Sequence, residues 1–130
     1  MAEFREAISD DKKFAVAYVG LGSELLADGR NDEAIAEYHK AIKIDPQISN
    51  AHYNLGYALQ TAGKPKEAIM EYREAIKIYP QDSSAHYNLG IALSDLGMKE
   101  EAIAEFKTYL ELNPDDSSAR TRLKQLESQQ

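Results

Sequence analysis

Three histidines, 22 acidic residues and eight tyrosines are the side chains of this 130-residue chain that could do chemistry. Histidine binds metals and moves protons near neutral pH. His52 and His86 stand in identical surroundings, Ala-His-Tyr-Asn-Leu-Gly, so in a repeating structure they would stack and could share an ion. A ring recurring at one place also serves as half-buried packing, and Tyr18 holds the matching position one step earlier. Packing is the expected role. His39, beside Lys40, belongs on a solvated helix face. Paired carboxylates can act as acid and base. The groups Glu67, Glu71, Glu74 and Glu100, Glu101, Glu105 are instead expected on outward, solvated faces. Cysteine is absent, which excludes disulfides, thiolate metal sites and a thiol nucleophile. No Gly-x-Ser-x-Gly, His-Glu-x-x-His or phosphate-cradling glycine loop occurs. The expectation is no enzyme, no catalytic residue, no cofactor and no metal.

The bulk composition narrows the class further. The net charge of −7 argues against a partner held by bulk positive charge, such as nucleic acid or an anionic membrane. No apolar run reaches the roughly 18–20 residues that a membrane span requires. Neither does the start of the chain carry a secretory signal pattern. A cytoplasmic location is therefore expected. With 43% apolar and 28% charged residues, the balance is that of a folded chain.

The elements that must position these residues follow from an internal period. Pro46, Pro80 and Pro114 recur at one constant step. Gly22, Gly56, Gly90 keep the same step, as do Gly29, Gly63, Gly97 and the aromatic series Tyr38, Tyr72, Phe106. Blocks 15–48, 49–82 and 83–116 result, and the last two are identical at 16 of 34 positions. Each block holds two helical patterns. In the middle block the first runs from about Asn50 to Thr61, and Gly63-Lys64 breaks it. Pro65 suits the first turn of the next helix, where its missing N–H has no partner to lose. That second helix runs to about Ile78 and is stopped by Pro80. Ala68, Ile69, Tyr72, Ala75 and Ile76 make its apolar stripe.

Helix-turn-helix repeats of this length, with Leu-Gly in the first helix, Ala and an aromatic in the second, and a closing Pro, resemble the tetratricopeptide repeat. The resemblance covers 15–116 and implies an all-α, right-handed α-solenoid of stacked antiparallel helix pairs. The bulky aromatic often found early in the first helix is Tyr18, His52 and His86 here. Residues 117–130 start like a further first helix, but Lys124 and Glu127 replace its glycine and leucine. That segment reads as a C-terminal capping helix. Residues 1–14 align with a second helix, Glu3-Phe4-Arg5-Glu6-Ala7-Ile8 against Glu37-Tyr38-His39-Lys40-Ala41-Ile42. They read as the remnant second helix of a preceding repeat, and hence the chain as a piece of a longer protein. Phe4 and Ile8 would then form an uncovered self-association patch.

Helical rotation of about 100° per residue sorts the first helix of the middle block into two sides. Ala51, His52, Leu55, Gly56, Ala58, Leu59 and Ala62 should pack inward. Asn50, Tyr53, Asn54, Tyr57, Gln60 and Thr61 face the other way and carry no charge. The matching sets are Ser84, Tyr87, Asn88, Ile91, Ser94, Asp95 and Val16, Val19, Gly20, Ser23, Leu26, Ala27. The resemblance implies that this stripe lines the concave groove. Asn54 and Asn88 should stand one above the other, and a primary amide can pair with a peptide bond as donor and acceptor. The groove is similar in this to that of the O-linked N-acetylglucosamine transferase repeat domain, whose asparagines hold peptide backbone. Gly20 and Arg122 interrupt the ladder at its ends. Arg122 is the cation expected near the groove's C-terminal end, facing Asp95 or an acid of the ligand. The family's carboxylate clamp would place basic residues at Val19, Ser84 and Asn88, and none of these is basic.

The function that follows is a non-catalytic scaffold that holds a peptide segment of a partner protein. Its groove candidates are Asn50, Tyr53, Asn54, Tyr57, Tyr87, Asn88, Ile91, Asp95 and Arg122. The alternatives are a self-associating assembly module, forming homo-oligomers through Phe4 and Ile8, and the adaptor part of a larger enzyme.

Overall fold

The computed structural model describes residues 2–129, and side chains from residue 11 onward. Among these residues seven helices follow one another: α1 (Ala2–Ala27), α2 (Asn31–Ile44), α3 (Ser49–Thr61), α4 (Pro65–Ile78), α5 (Ser83–Asp95), α6 (Lys99–Leu112) and α7 (Ser117–Ser128). Among the described residues there is no strand. Three-residue turns join α1 to α2, α3 to α4 and α5 to α6, so each pair folds back on itself. These pairs make the tightest interfaces, and each second helix then packs on the next first helix. The first helices α1, α3 and α5 also touch in succession. The result is an α-solenoid without a single centre.

Glycine sets the repeat at two kinds of position. Gly29, Gly63 and Gly97 have φ of 78°, 80° and 77°, the left-handed region that closes a helix. The residue after each glycine then reaches back to a carbonyl of the helix's last turns, as in Lys64 N–H to the Leu59 carbonyl at 2.9 Å. Gly56 serves a different need. A Cβ there would lie 2.8 Å from the ring of Tyr72, so only glycine lets α3 approach α4 this closely. The rings of Tyr38, Tyr72 and Phe106 fill the core of each pair and are fully buried. Burial is tolerated for the two phenols because each hydroxyl has a partner. Tyr38 shares a hydrogen bond with the Ser23 hydroxyl at 3.1 Å, and the Tyr72 hydroxyl donates to Gln60 Oε1 at 2.6 Å.

The helix boundaries show where local chemistry acts. Asp82 and Asp116 cap α5 and α7, accepting the N–H of Ala85 and Ala119, each at 3.1 Å. At the start of the chain the structure departs from the block boundaries. Helix α1 runs without a break across position 15, where a remnant helix and the first repeat were expected to part. Lys12 stands where the later repeats have a proline, and Phe14 where α5 has its Asp82 cap. With neither a stop nor a cap, the helix continues. The backbone of Phe4 and Ile8 lies within α1, but their side chains lie outside the described residues.

One face of α1 differs from its counterparts. Leu55 and Leu89 are 0% and 2% exposed because a preceding second helix covers them. Leu21, at the same repeat position, is 44% exposed, and Phe14 is 59% exposed.

Candidate functional site

The inward side of α3 is as the sequence pattern places it. Ala51, His52, Leu55, Gly56, Ala58 and Leu59 are buried, although Ala62, at the C-terminal turn, is exposed. The opposite side lines a groove. A pocket of about 410 Å³ lies between α1, α2 and α3 and is bounded by Ser23, Leu26, Ala27, Tyr38, Tyr53, Asn54 and Tyr57. None of these residues is charged. Tyr57 is 47% exposed and stands at the pocket rim. A second pocket of about 140 Å³ is bounded by Tyr53, Ser84, Tyr87, Asn88 and Tyr109, so Tyr53 belongs to both. A third, of about 130 Å³, holds Ser94, Phe106, Arg122, Gln125, Leu126 and Gln129.

The amides are not equivalent. Asn88 Nδ2 donates to the Tyr53 hydroxyl at 2.8 Å, so its amide is tied to the neighbouring repeat. Asn54 makes only a long contact, donating to Asn50 Oδ1 at 3.4 Å. Of the pair expected to form a ladder, only Asn88 is bonded across to a neighbouring repeat. Tyr87 packs edge-on against Phe106, with ring centres 5.6 Å apart, and in a tilted arrangement against Tyr109 at 5.0 Å. Its ring is thereby fixed. The Tyr109 hydroxyl donates to Asp116 at 2.6 Å. That bond to a carboxylate pushes the phenol up to about 12, with burial adding to the shift. It also holds Asp116 below the usual carboxylate range, together with the Ala119 N–H. Burial raises Tyr53 as well, so these two phenols stay neutral donors at physiological pH.

Other candidates sit differently. Ile91 is half-buried against the core, and Val19 is buried rather than facing the groove. Asp95 is exposed, and no ion pair joins it to Arg122 among the described residues. Arg122 is exposed at the third pocket.

The histidines carry an arrangement that sequence reading missed. His52 Nδ1 lies 2.7 Å from Glu71 Oε2, and Nε2 lies 2.9 Å from the Pro46 carbonyl. His86 repeats this with Glu105 at 2.6 Å and the Pro80 carbonyl at 2.8 Å. Each ring thus bridges the second helix of its own repeat and the closing turn of the repeat before. Glu71 and Glu105, expected on a solvated face, are half-buried partners. A carbonyl and a carboxylate both only accept, so satisfying both bonds of His52 takes two ring N–H donors, as in the imidazolium. In accord with this, the bond to Glu71 raises the His52 pKa above its ordinary value, against an opposing effect of burial. Both ring nitrogens of each histidine are engaged in these contacts. The signal that could have found this is the constant offset of 19 residues between each His and its Glu.

Comparisons with known proteins agree with this architecture. A model described as "Tetratricopeptide repeat" matches residues 59–126, more than half of the chain, and one described as "TPR repeat" matches 22–63. The chain belongs to the tetratricopeptide repeat family. Among solved structures, the first tetratricopeptide domain of Spaghetti (RPAP3), bound to the HSP90 peptide SRMEEVD, is similar with a TM-score of 0.86 at 25% identity, over 90% of this chain and 93% of that one. The second such domain of human RPAP3, in complex with the HSP70 peptide SGPTIEEVD, has a TM-score of 0.84 at 26% identity, over 90% and 98%. The Arabidopsis OM64 domain shares the fold with a TM-score of 0.87 at 21% identity, over 92% and 99%. No curated protein matches the chain in sequence. As a tetratricopeptide array, the chain combines the family's helix stacking with a groove whose middle is built from tyrosine and amide side chains. No described helix is long and apolar enough to cross a membrane.

Proposed function

We propose that the chain is a non-catalytic interaction module that holds an extended segment of a partner protein in the groove of its first helices. The observation that carries this reading is the uncharged pocket of about 410 Å³ rimmed by Tyr53, Asn54 and Tyr57. Tyrosines offer large contact area at low rotamer cost, and Asn54 supplies a donor and an acceptor for backbone. Similar domains that hold peptides, those of Spaghetti and human RPAP3, support the same reading. The ligand chemistry differs from an acidic tail gripped by basic side chains. Of the clamp positions, Val19 is buried, Ser84 is neutral and Asn88 is committed to Tyr53.

The test is selection of peptides from a random display library on the immobilised chain. A selected peptide should bind the Asn54→Ala/Tyr57→Ala double variant at least about tenfold more weakly, each lost contact contributing on the order of 1 kcal/mol. Both side chains lie outside the core, so the far-UV circular dichroism should stay the same. Equal affinity for the two proteins would sink the groove assignment.

A second reading rests on the uncovered face of α1. Leu21 and Phe14 are exposed, whereas Leu55 and Leu89, the counterparts of Leu21 on α3 and α5, are buried. Self-association over this face would cover them. Light scattering at increasing concentration should then report a mass above the monomer, and a strict monomer rules it out.

A further inference from the structure

The two junctions between repeats are tied differently. Across the second, from repeat two to repeat three, three side-chain bonds run among the described residues. Arg73 of α4 pairs with Glu101 of α6 at 2.7 Å, Asn88 donates to the Tyr53 hydroxyl at 2.8 Å, and His86 Nε2 meets the Pro80 carbonyl at 2.8 Å. Across the first, the described residues show one, from His52 Nε2 to the Pro46 carbonyl at 2.9 Å. Ala51 and Leu55 are fully buried, so apolar contact still holds α3 in the stack. Apolar burial is non-directional, and the imidazole is the one directional side-chain tie there.

The pocket of about 410 Å³ lies at this same junction. Its walls come from α1 and α2 on one side and from Tyr53, Asn54 and Tyr57 of α3 on the other. His52 precedes Tyr53 on that helix. A change in the angle of α3 against α2 therefore moves one wall of the pocket relative to the other.

The tie depends on a proton. His52 is only 6% exposed, so water is a poor substitute for a lost partner. Nδ1 faces a carboxylate oxygen of Glu71 at 2.7 Å and Nε2 faces a carbonyl, and both of these groups only accept. The imidazolium has an N–H for each, whereas the neutral ring has one. A bond to a carboxylate is the stronger of the two, so the remaining N–H stays with Glu71. The Nε2 lone pair then opposes the Pro46 carbonyl, and an attractive contact becomes a repulsive one. The surrounding charges act on the same balance. Glu71 and Glu74 of α4 both favour the cation. In the turn, the Asp45 carboxylate accepts the Gln47 N–H at 3.1 Å. Lys43, in the last turn of α2, is exposed, and α3 carries no charged residue. The folded-state pKa lies above the ordinary 6.5, so the tie is complete below that value and is lost as pH rises through the folded one.

We propose that His52 is a proton-controlled latch on the groove. With its proton it locks α3 to the turn after α2 and shapes the pocket; without it α3 shifts and the groove loses affinity for its segment. The inference rests on the groove reading above and adds its regulation. A site formed in advance binds more tightly than one that must first be ordered, so affinity falls on the alkaline side.

The test is the distance between spin labels across each junction, measured from about pH 5.5 to about pH 8.5, where histidine titrates and ordinary carboxylates stay charged. The chain has no cysteine, so label sites can be chosen freely. Asp32, Lys66 and Glu100 hold one position in the three repeats, and all are exposed. Labels on Asp32→Cys/Lys66→Cys span the first junction, and labels on Lys66→Cys/Glu100→Cys span the second. The first distance should shift or broaden as pH rises, and the second should change less. His52→Phe should abolish the response of the first pair. His39→Gln, which removes the exposed histidine of α2, should preserve it. Glu71→Gln keeps an acceptor but removes the charge, and should move the transition to lower pH. A first-junction distance that ignores pH, or that responds equally in His52→Phe, overturns the proposal. If His52→Phe does not fold, an unmoved transition in Glu71→Gln overturns it.

Affinity reads the link to the groove. A peptide from the display selection should bind several-fold more weakly at the alkaline end, and His52→Phe should flatten that dependence. Affinity that is independent of pH overturns the latch on the groove, even where the distance responds. Peptides indifferent to the Asn54→Ala/Tyr57→Ala change sink the groove reading instead, whatever the labels show.

Discussion

The first repeat and the two that follow solve one packing problem in different ways. In the second and third, a histidine on the first helix joins a glutamate on the second and the carbonyl of the preceding proline turn. In the first repeat, Tyr18 stands in the histidine's place. Its glutamate, Glu37, accepts from Lys40 at 3.0 Å through one oxygen. The other oxygen, Oε2, is buried without a partner. Lys40 lies over the Tyr18 ring at 5.6 Å, so the cation is shared between ring and acid. The acid is present in all three repeats, but only the imidazole ties it to the repeat before. A stacking device thus depends on one ring position. Where α1 has no proline turn behind it, half of the device has nothing to grip.

Breaking the bridge should have the largest effect. His52→Ala leaves Glu71 half-buried without its donor and opens a gap between α3 and the Pro46 turn. A loss of about 2–3 kcal/mol is expected, below the range for fully buried pairs because Glu71 keeps some contact with water. Tyr18→Ala should cost less, since it removes packing and no ion pair. Urea unfolding of the two variants measures the difference, and a larger loss for Tyr18→Ala would contradict the comparison.

The pH dependence comes next. The folded-state pKa of His52 is raised above its ordinary 6.5. Its stabilising contribution is therefore complete below about pH 6.5 and is lost as pH rises through the folded value. Wild-type stability should fall over that window, and His52→Phe should lose part of the slope. An unchanged slope would mean that the ring is neutral in the fold.

The smallest effect is a gain. Tyr18→His places an imidazole at the same offset from Glu37 that His52 and His86 keep from their own acids, and so offers the orphan oxygen a donor. About 1 kcal/mol of stabilisation is expected. It should remain below the contribution of His52, because the Lys12 carbonyl that would serve Nε2 lies inside the unbroken helix α1. A destabilised variant would show that the Tyr18–Lys40 contact outweighs the repaired acid.

Much of this was legible from one dimension. The common step of proline and glycine reports turns and close approaches, which are local events with strict residue requirements. Pro65 to Ile78 is the second helix of the middle repeat in sequence pattern and in structure alike. The inward face of α3 followed from helical rotation, because a residue's direction is settled within its own turn. The continuity of α1 was legible too, in Lys12 and Phe14, once the lack of a proline and of a cap is weighed above block alignment. The misplacement of Glu71 and Glu105 has a different cause. Charge and periodicity put a glutamate on a polar stripe, but they do not say whether that stripe's edge meets a histidine from another helix.

The division falls between short-range and long-range terms. Sequence alone determined the family, the helix pairs and the uncharged side of α3. Backbone propensity, glycine conformations and apolar spacing act within a few residues and repeat with the chain. Only the tertiary structure decided which polar groups are hydrogen-bonded inside. Asn88 is committed to Tyr53 across 35 residues while Asn54 meets Asn50 of its own helix, and Glu71 joins His52 across 19. Those choices depend on the close approach of atoms on separate helices, which stacking sets and no pattern along the chain encodes.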